Sequence, residues 1–248
     1  MTNTISKNWL VKTGDFLFKW RNYMFPVMIG VLFILFPVPD SYFGSPALEE
    51  WKDVLAFTII FSGLAFRMVT IGWAYIKRGG LNKEVYADTL VHSGFFGMCR
   101  NPLYVGNMMI YAGVFLLHGN PIVVVTGIAA YTFIYIAIIA AEEHYLRAKF
   151  GAAYEKYCAE VPRWIPNFSK YKESVAGMNF SIKRSIFKDY STIFNTVLAI
   201  ALIEGLEHFQ SAHSTFENMF KISLVMLAVA TVMLVTVKHL KKSGYAKV

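Results

Sequence analysis

Six apolar runs separated by polar segments constrain the fold of this chain more than any other feature. The runs cover residues 23–38, 54–76, 103–118, 121–141, 191–206 and 220–237. A helix of roughly 20 residues crosses a bilayer, so the runs predict spanning helices, of which the first is short. Composition agrees, because 56% of residues are hydrophobic and only 16% are charged. We therefore predict an all-α integral membrane protein with about six transmembrane helices.

The distribution of basic residues predicts the orientation in the membrane. Lysine and arginine are rare in alternate loops and concentrate in the others, and cytoplasmic loops carry the excess of these residues. The rule predicts that both termini are cytoplasmic, in the inner membrane if the protein is bacterial. The basic segments are the N-terminal lead, 77–100, 142–191 and the tail, and the poor ones are 39–53, 119–120 and 207–218.

We treat residues 1–248 as one membrane domain with three parts. Residues 5–22 mix aromatic and basic side chains, which suits a helix lying in the membrane interface. A core follows at 23–166, and 167–248 form a connector and two additional spans. The net charge of +8 comes from residues that flank apolar runs, so we expect a bilayer and no nucleic acid as partner. The oligomeric state stays open.

Two polar segments interrupt the apolar pattern. They are 88–106, DTLVHSGFFGMCRNPLYVG, and 142–166, EEHYLRAKFGAAYEKYCAEVPRWIP. Such segments are tolerated at membrane depth only where they line a cavity or are covered by a ligand. The short turn Gly119–Asn120 predicts a helical hairpin, which returns the chain and brings Arg100 close to Glu142. We predict one small-molecule site built from both segments.

The residues of these segments suit an anionic or cationic ligand. Pro102 begins an apolar run, so amides of the first helical turn can face an anionic group beside Arg100. Tyr104 offers a hydroxyl, and Glu142 and Glu143 suit ribose hydroxyls, an amine or a sulfonium charge. The plainer alternatives are a positively charged span boundary and solvated glutamates.

Several other residues have two possible roles. Arg67 lies inside the second run, where an arginine is a functional candidate, a snorkelling side chain or half of a helix-to-helix pair. Arg67 and Arg163 are candidates for contacting an anionic headgroup of the substrate. Cys99 and Cys158 lack the paired spacing of a zinc site, so we predict free thiols and no metal site.

Together, the two segments resemble the signature of the isoprenylcysteine carboxyl methyltransferase and phospholipid methyltransferase superfamily. Its pattern is roughly TLVTSGxYxxxRHPxYxG, a helical hairpin, and EExxLxxxFGxxYxxYxxxVPxxxP, which residues 88–166 follow. The resemblance implies an integral-membrane enzyme that uses S-adenosyl-L-methionine to methylate a lipid or another membrane-partitioned acceptor. A lipid phosphate or headgroup is one possible acceptor.

The resemblance also implies roles for individual residues. Arg100 and Glu143 become the candidate catalytic residues. Asn101 stands in place of the usual histidine, and Phe96 where tyrosine is common. Ile138 occupies the position of an arginine that holds the substrate carboxylate in prenylcysteine enzymes, which argues against that substrate. The implied cofactor contacts are Asp88, Thr89, Leu90, Val91, Phe96, Asn101, Pro102, Leu103, Tyr104 and Glu142.

Two other functions are compatible with the pattern. Sterol C14 reductases have a similar C-terminal motif but use NADPH, and this chain has Ala153 and Tyr154 where they have tryptophan. A non-catalytic membrane scaffold is the second alternative. Binding of S-adenosylhomocysteine, binding of NADPH, or neither would distinguish the three.

Overall fold

The computed structural model describes residues 7–39, 42–74, 76, 84–210 and 217–243. Within these ranges, all the regular secondary-structure elements are helices. The all-α prediction is confirmed. Eight α-helices are described: α1 Trp9–Leu35, α2 Pro46–Trp73, α3 Pro102–His118, α4 Pro121–Phe150, α5 Ala152–Glu160, α6 Tyr171–Ser174, α7 Ile182–Gln210 and α8 Glu217–Lys242.

Four of the described helices are long and apolar enough to cross a membrane. They comprise Ala47–Trp73, Pro121–Phe150, Ile182–Phe209 and Phe220–Lys242, with Pro102–His118 as a shorter apolar helix. The chain is therefore an integral membrane protein with four long candidate spans and one shorter one. Five of the six predicted runs fall in these helices, and the predicted first span lies mostly in α1, which is not among the candidates. The orientation of the termini stays a prediction.

The first helix differs from the predicted division at residue 22. A single helix, α1, joins the expected interfacial segment 5–22, where it is described, to most of the expected span 23–38. Its start is capped by Asn8, whose Oδ1 accepts from the Val11 N–H at 2.9 Å. A change from basic to apolar side chains alters the surroundings of a helix but leaves its backbone hydrogen bonds in place. Even Pro26 does not end α1.

Close helix contacts arise at glycines. A Cβ on Gly63 of α2 would lie 2.8 Å from the Gly106 carbonyl oxygen of α3, so these two backbones are in direct contact. A Cβ on Gly14 of α1 would lie 1.9 Å from the Ala137 carbonyl oxygen of α4. Small residues allow this approach in membrane helix pairs. The main pairs are α2 with α3, α1 with α4, and α7 with α8.

The predicted hairpin between α3 and α4 is confirmed. Helix α3 ends at His118, and Gly119 follows with a φ of 77°, a left-handed conformation that glycine adopts easily. The side chain of Asn120 then accepts from the Ile122 N–H at 3.0 Å and caps α4. The two helices therefore run in opposite directions with a minimal connection.

The predicted helix end at residue 141 is wrong, because α4 continues to Phe150. Charged side chains begin at Glu142, but they do not disturb the helical backbone. The break comes at Gly151, with a φ of 50°, after which the amphipathic α5 ends at Glu160. This helix ends just before Val161 and Pro162, because the residue preceding a proline is disfavoured in the helical conformation.

The basic and polar stretch 167–191, which we expect from the sequence to be a surface connector, is partly helical. A short 3₁₀ helix and α6 occupy its first part, and α7 begins at Ile182, nine positions before the predicted span. Helix α7 packs against both α2 and α3. The basic connector at 77–83 and the C-terminal residues 244–248 lie outside the described residues.

Candidate functional site

The two polar segments lie against each other, as the hairpin predicts. The Arg100 N–H donates to the Pro162 carbonyl at 2.9 Å, and the Asn167 N–H donates to the Met98 carbonyl at 2.9 Å. These bonds join the turn before α3 to the chain after α5. Residues separated by more than sixty positions therefore form one structural unit.

The start of the first polar segment is held by the end of α4. Lys149 donates to the Ala87 carbonyl, and its ammonium group lies 4.8 Å from the centre of the Tyr86 ring. Tyr86 also bonds to Asp88, and that hydrogen bond raises the pKa of the Tyr86 phenol. Leu90 and Val91 follow, and Val91 packs near Phe96. Residues 85–91 therefore lie along one side of a cavity.

That cavity has a volume of about 1510 Å³. All the predicted site residues line it except Pro102 and Arg163. Pro102 begins α3 beside the cavity, whereas Arg163 lines a second, smaller cavity. The residues on the polar side of the large cavity are Asp88, Thr89, Leu90, Val91, Phe96, Arg100, Asn101, Leu103, Tyr104, Glu142 and Glu143, with Arg67 farther along α2.

The remainder of the cavity is mainly apolar and extends between helices outside the polar segments. Its wall includes Phe25 and Ile29 of α1, Leu202 and Leu206 of α7, and Leu224 of α8. One continuous space thus joins a polar end to an apolar end. Ile138 is fully buried in the main hydrophobic core and is not part of the cavity wall.

Tyr104 and Glu142 form the direct side-chain contact between α3 and α4 at the polar end. The Tyr104 hydroxyl donates to Glu142 Oε1 at 2.6 Å. The Tyr104 ring also packs against Tyr135, with 5.1 Å between the ring centres. The bond occupies one carboxylate oxygen of Glu142 and orients the group along the cavity wall.

Arg100 contacts the second glutamate. Its Nη1 lies 3.2 Å from Glu143 Oε1 and 2.8 Å from the Cys158 sulfur. Burial opposes its charge, but Glu143, Cys158 and Tyr154 together outweigh that effect, so the pKa of Arg100 is raised. Arg100 Nε is buried and has no hydrogen-bond partner among the described residues. The guanidinium is therefore held in its charged form with one donor unused.

Glu143 also forms ion pairs with two further arginines. Arg163 donates through Nε to Oε1 at 3.0 Å and through Nη2 to Oε2 at 3.2 Å. Arg147 lies 3.6 Å from Oε2. Glu143 is 7% exposed, so its carboxylate is almost enclosed by guanidinium groups. This arrangement suits a positioning group better than a proton acceptor.

The side chain of Asn101 is directed to the backbone of the second polar segment. Its Nδ2 donates to the Arg163 carbonyl at 3.1 Å, and it makes no capping hydrogen bond to α3. The first turn of α3 therefore has no side-chain cap, and Pro102 at its first position contributes no N–H. Its amides face the region where an anionic ligand group would be stabilised.

Arg67 makes a helix-to-helix pair, one of the roles that the sequence leaves open. It forms an ion pair with Asp189 of α7, in which Nε lies 3.0 Å from Oδ2 and Nη2 donates to Oδ1. Nη1 donates to the Leu103 carbonyl at 3.1 Å and to Asn107 at 2.7 Å, and Nη2 donates to Thr192 at 3.2 Å. These bonds use all five N–H donors of a guanidinium.

Asp189 was missed by the sequence analysis. It is fully buried, yet it lies in the stretch expected to be a surface connector. The sequence did contain a signal for this pair. Asp189 lies just before the apolar run 191–206, and Arg67 is an arginine within another apolar run that needs a partner. The sequence analysis also missed Asn107, because a single polar side chain within an apolar run did not stand out.

The cysteines are both free, as predicted. Cys99 is fully buried, and its sulfur lies 3.2 Å from the Trp164 carbonyl. Burial raises the pKa of Cys99 to about 11. Within the described ranges, no group of three or more histidine, cysteine, aspartate or glutamate residues could hold a metal ion.

Comparisons with known proteins point to one family. A sequence model described as phospholipid methyltransferase matches residues 51–153. The Arabidopsis thaliana protein-S-isoprenylcysteine O-methyltransferase B is 25% identical over 149 residues, which are 59% of this chain and 74% of that protein. No solved structure gives a significant match.

Two bacterial proteins are also similar. The cobalt-zinc-cadmium resistance protein CzcN of Cupriavidus metallidurans is 26% identical over 154 residues, which are 61% of this chain and 69% of that protein. The nickel-cobalt-cadmium resistance protein NccN of Alcaligenes xylosoxydans xylosoxydans is 24% identical over 160 residues, which are 64% of this chain and 70% of that protein. The family match and the plant relative support membership of the chain in the isoprenylcysteine carboxyl methyltransferase and phospholipid methyltransferase superfamily of membrane methyltransferases.

Proposed function

We propose that this protein transfers a methyl group from S-adenosyl-L-methionine to a lipid or another acceptor that partitions into the membrane. The observation that carries the proposal is one cavity of about 1510 Å³ with a polar end and an apolar end. Pockets for a single small ligand commonly measure about 300–1,000 Å³, so this cavity has room for two molecules.

The residues at the polar end fit the cofactor. Arg100 Nε is an unused donor in a buried position, and the uncapped start of α3 favours a carboxylate. Glu142 offers an acceptor to hydroxyl or amino groups, and Leu90 and Val91 offer an apolar surface to adenine. Asp88, Thr89, Phe96, Asn101, Pro102, Leu103 and Tyr104 would complete the contacts. When bound, S-adenosyl-L-methionine supplies an electrophilic methyl group.

The chain contributes mainly orientation and exclusion of water. Tyr104 fixes Glu142 through its 2.6 Å hydrogen bond, so the carboxylate need not reorganise when a ligand enters. Arg100 would face the reacting groups, and Glu143 would hold it in place. Enclosure by helices lowers the local water content and leaves the nucleophilic atom of the acceptor less solvated.

The acceptor would occupy the apolar end, between α1, α7 and α8. Helical walls of this kind match an acyl or similar chain, whereas the reactive group would lie near Arg100. All five donors of Arg67 are used within the protein, so we propose a positioning role for it. Arg163 points to the second cavity and is a less direct contact for the acceptor. A lipid phosphate or headgroup remains the proposed reactive group.

We place the polar end of the cavity at the cytoplasmic side of the membrane, and residues 1–248 in a single membrane domain. The support is the concentration of lysine and arginine in the segments around that end. In a bacterial cell, the cytoplasmic face of the inner membrane is where S-adenosyl-L-methionine is available.

Titration calorimetry with S-adenosylhomocysteine tests the cofactor assignment. We expect binding to the detergent-purified protein and a loss of about tenfold or more for Glu142→Ala, since a hydrogen bond to a charged group contributes about 1.5–3 kcal/mol. Glu173→Ala, an exposed glutamate outside the cavity, is the control. Absence of binding by folded wild-type protein would overturn the proposal. Mass spectrometry of lipids from cells with and without the protein would then identify the acceptor.

A further inference from the structure

A second cavity lies beside the first, between the start of α1 and the end of α4. Its volume is about 310 Å³, and its wall includes Asn8, Glu143, His144, Arg147 and Arg163. Glu143 belongs to the walls of both cavities. Five of the seven residues that line the smaller cavity are polar or charged, and the other two are Val11 and Ala140.

The charges around this cavity do not balance. Glu143 is the shared partner of Arg100, Arg147 and Arg163, at distances of 3.2, 3.6 and 3.0 Å. Glu155 adds a second carboxylate 3.0 Å from Arg147, but its side chain is 59% exposed. In the cavity wall itself, the guanidinium groups of Arg147 and Arg163 against the single carboxylate of Glu143 leave one positive charge.

The two arginines that face the cavity are reachable from outside. The side chains of Arg147 and Arg163 are 39% and 33% exposed, whereas Glu143 is almost enclosed behind them. A planar guanidinium can donate two parallel hydrogen bonds to phosphate oxygens. The start of α1 at Asn8 adds the positive end of a helix dipole on the same side.

We propose that this cavity binds a phosphate-type anion, either the headgroup of an acidic phospholipid or a soluble phosphate ester. The site is separate from the methyl-transfer cavity, and Arg147 and Arg163 are its principal ligands. Binding does not require that the proposed methyl transfer be correct.

The shared glutamate connects the two cavities. An anion that takes hydrogen bonds from Arg147 and Arg163 leaves the Glu143 carboxylate to Arg100 alone. The Arg100–Glu143 pair then becomes stronger, and Arg100 is held more firmly beside the polar end of the large cavity. Because such coupling is reciprocal, ligand in the large cavity also changes the affinity for the anion.

The experiment measures anion binding directly, without an activity assay. Purified protein is placed in phosphatidylcholine nanodiscs with or without phosphatidylglycerol, and native mass spectrometry counts the retained acidic lipid. Calorimetry with inorganic phosphate and glycerol 3-phosphate, in nanodiscs of phosphatidylcholine alone, forms the second arm. Retention of phosphatidylglycerol without phosphate binding identifies a lipid site, and phosphate binding identifies a soluble anion.

We expect the double variant Arg147→Gln/Arg163→Gln to bind the phosphate-type anion at least about tenfold more weakly than wild type. The variant lacks both guanidinium groups, which donate paired hydrogen bonds to phosphate oxygens. Lys156→Gln is the matched control, since it also removes positive charge but from a side chain that is 79% exposed on α5. If the double variant does not fold, Arg147→Lys/Arg163→Lys keeps the charge and should bind with intermediate affinity. The proposal is overturned if wild type binds neither probe, or if the folded variants bind as tightly as wild type.

Discussion

Two cysteines lie near Arg100, and their surroundings predict different reactivities. Cys99 is fully buried with a pKa of about 11, whereas Cys158 is partly exposed. At pH 8 a thiol with that pKa is about one-thousandth thiolate, and the thiolate is the reactive form. We expect maleimide to label Cys158 in the folded protein and to label Cys99 only after denaturation.

The raised pKa of Cys99 also predicts how its labelling rate changes with pH. A raised pKa means that the thiolate fraction of Cys99 grows about tenfold for each pH unit up to the region of pH 11. Any slow labelling of Cys99 should therefore accelerate as pH rises, as measured by mass spectrometry on Cys158→Ser protein. Rapid labelling of Cys99 at neutral pH would contradict its buried position.

Single residues also show what the sequence could and could not reveal. The contacts of Arg100 with the second polar segment follow from the hairpin at Gly119 and Asn120, so their proximity was predictable. The partner of Arg67 was not, because Asp189 lies 122 positions away on a helix that begins earlier than expected. The pairing of two buried charges on different helices depends on how the helices pack, which local composition does not reveal.

At the scale of helices, the Arg67–Asp189 pair fastens α7 to α2. Breaking a buried ion pair by removing one partner costs about 3–5 kcal/mol, because the other charge stays buried without compensation. We therefore expect Asp189→Ala to lower the free energy of unfolding by about that amount. Thermal unfolding in detergent, followed by tryptophan fluorescence, measures the change.

A paired apolar replacement is the informative comparison. Arg67→Leu/Asp189→Leu leaves no isolated charge and should recover most of the lost stability, and Glu173→Ala should have little effect as an exposed control. If Asp189→Ala is as stable as wild type, the ion pair does not hold these helices together.

Helix boundaries were less predictable than helix positions. The span at 103–118 and the turn after it agree closely with α3 and Gly119, since glycine and proline mark both ends. The ends at 22 and 141 were wrong because they relied on changes of polarity. Backbone hydrogen bonds continue through such changes, and α4 stops only where Gly151 adopts a positive φ.

For the whole molecule, orientation in the membrane is the main open prediction. The positive-inside rule places the chain around Ser169 in the cytoplasm and the loop before α2 on the other side. In a Cys99→Ser/Cys158→Ser background, Ser169→Cys should react with a membrane-impermeant maleimide only from the cytoplasmic side. Glu50→Cys should react only from the opposite side, and the reverse pattern would contradict the proposed topology.

The large cavity crosses the boundary of the family match. Its polar end is built mostly from residues within 51–153, whereas α1, α7 and α8, which line the apolar end, lie outside that range. Under the proposed function, substitutions in these three helices can change the length or shape of the acceptor while the cofactor contacts stay intact. Such a division of labour lets new substrate preferences evolve, or be engineered, one part at a time.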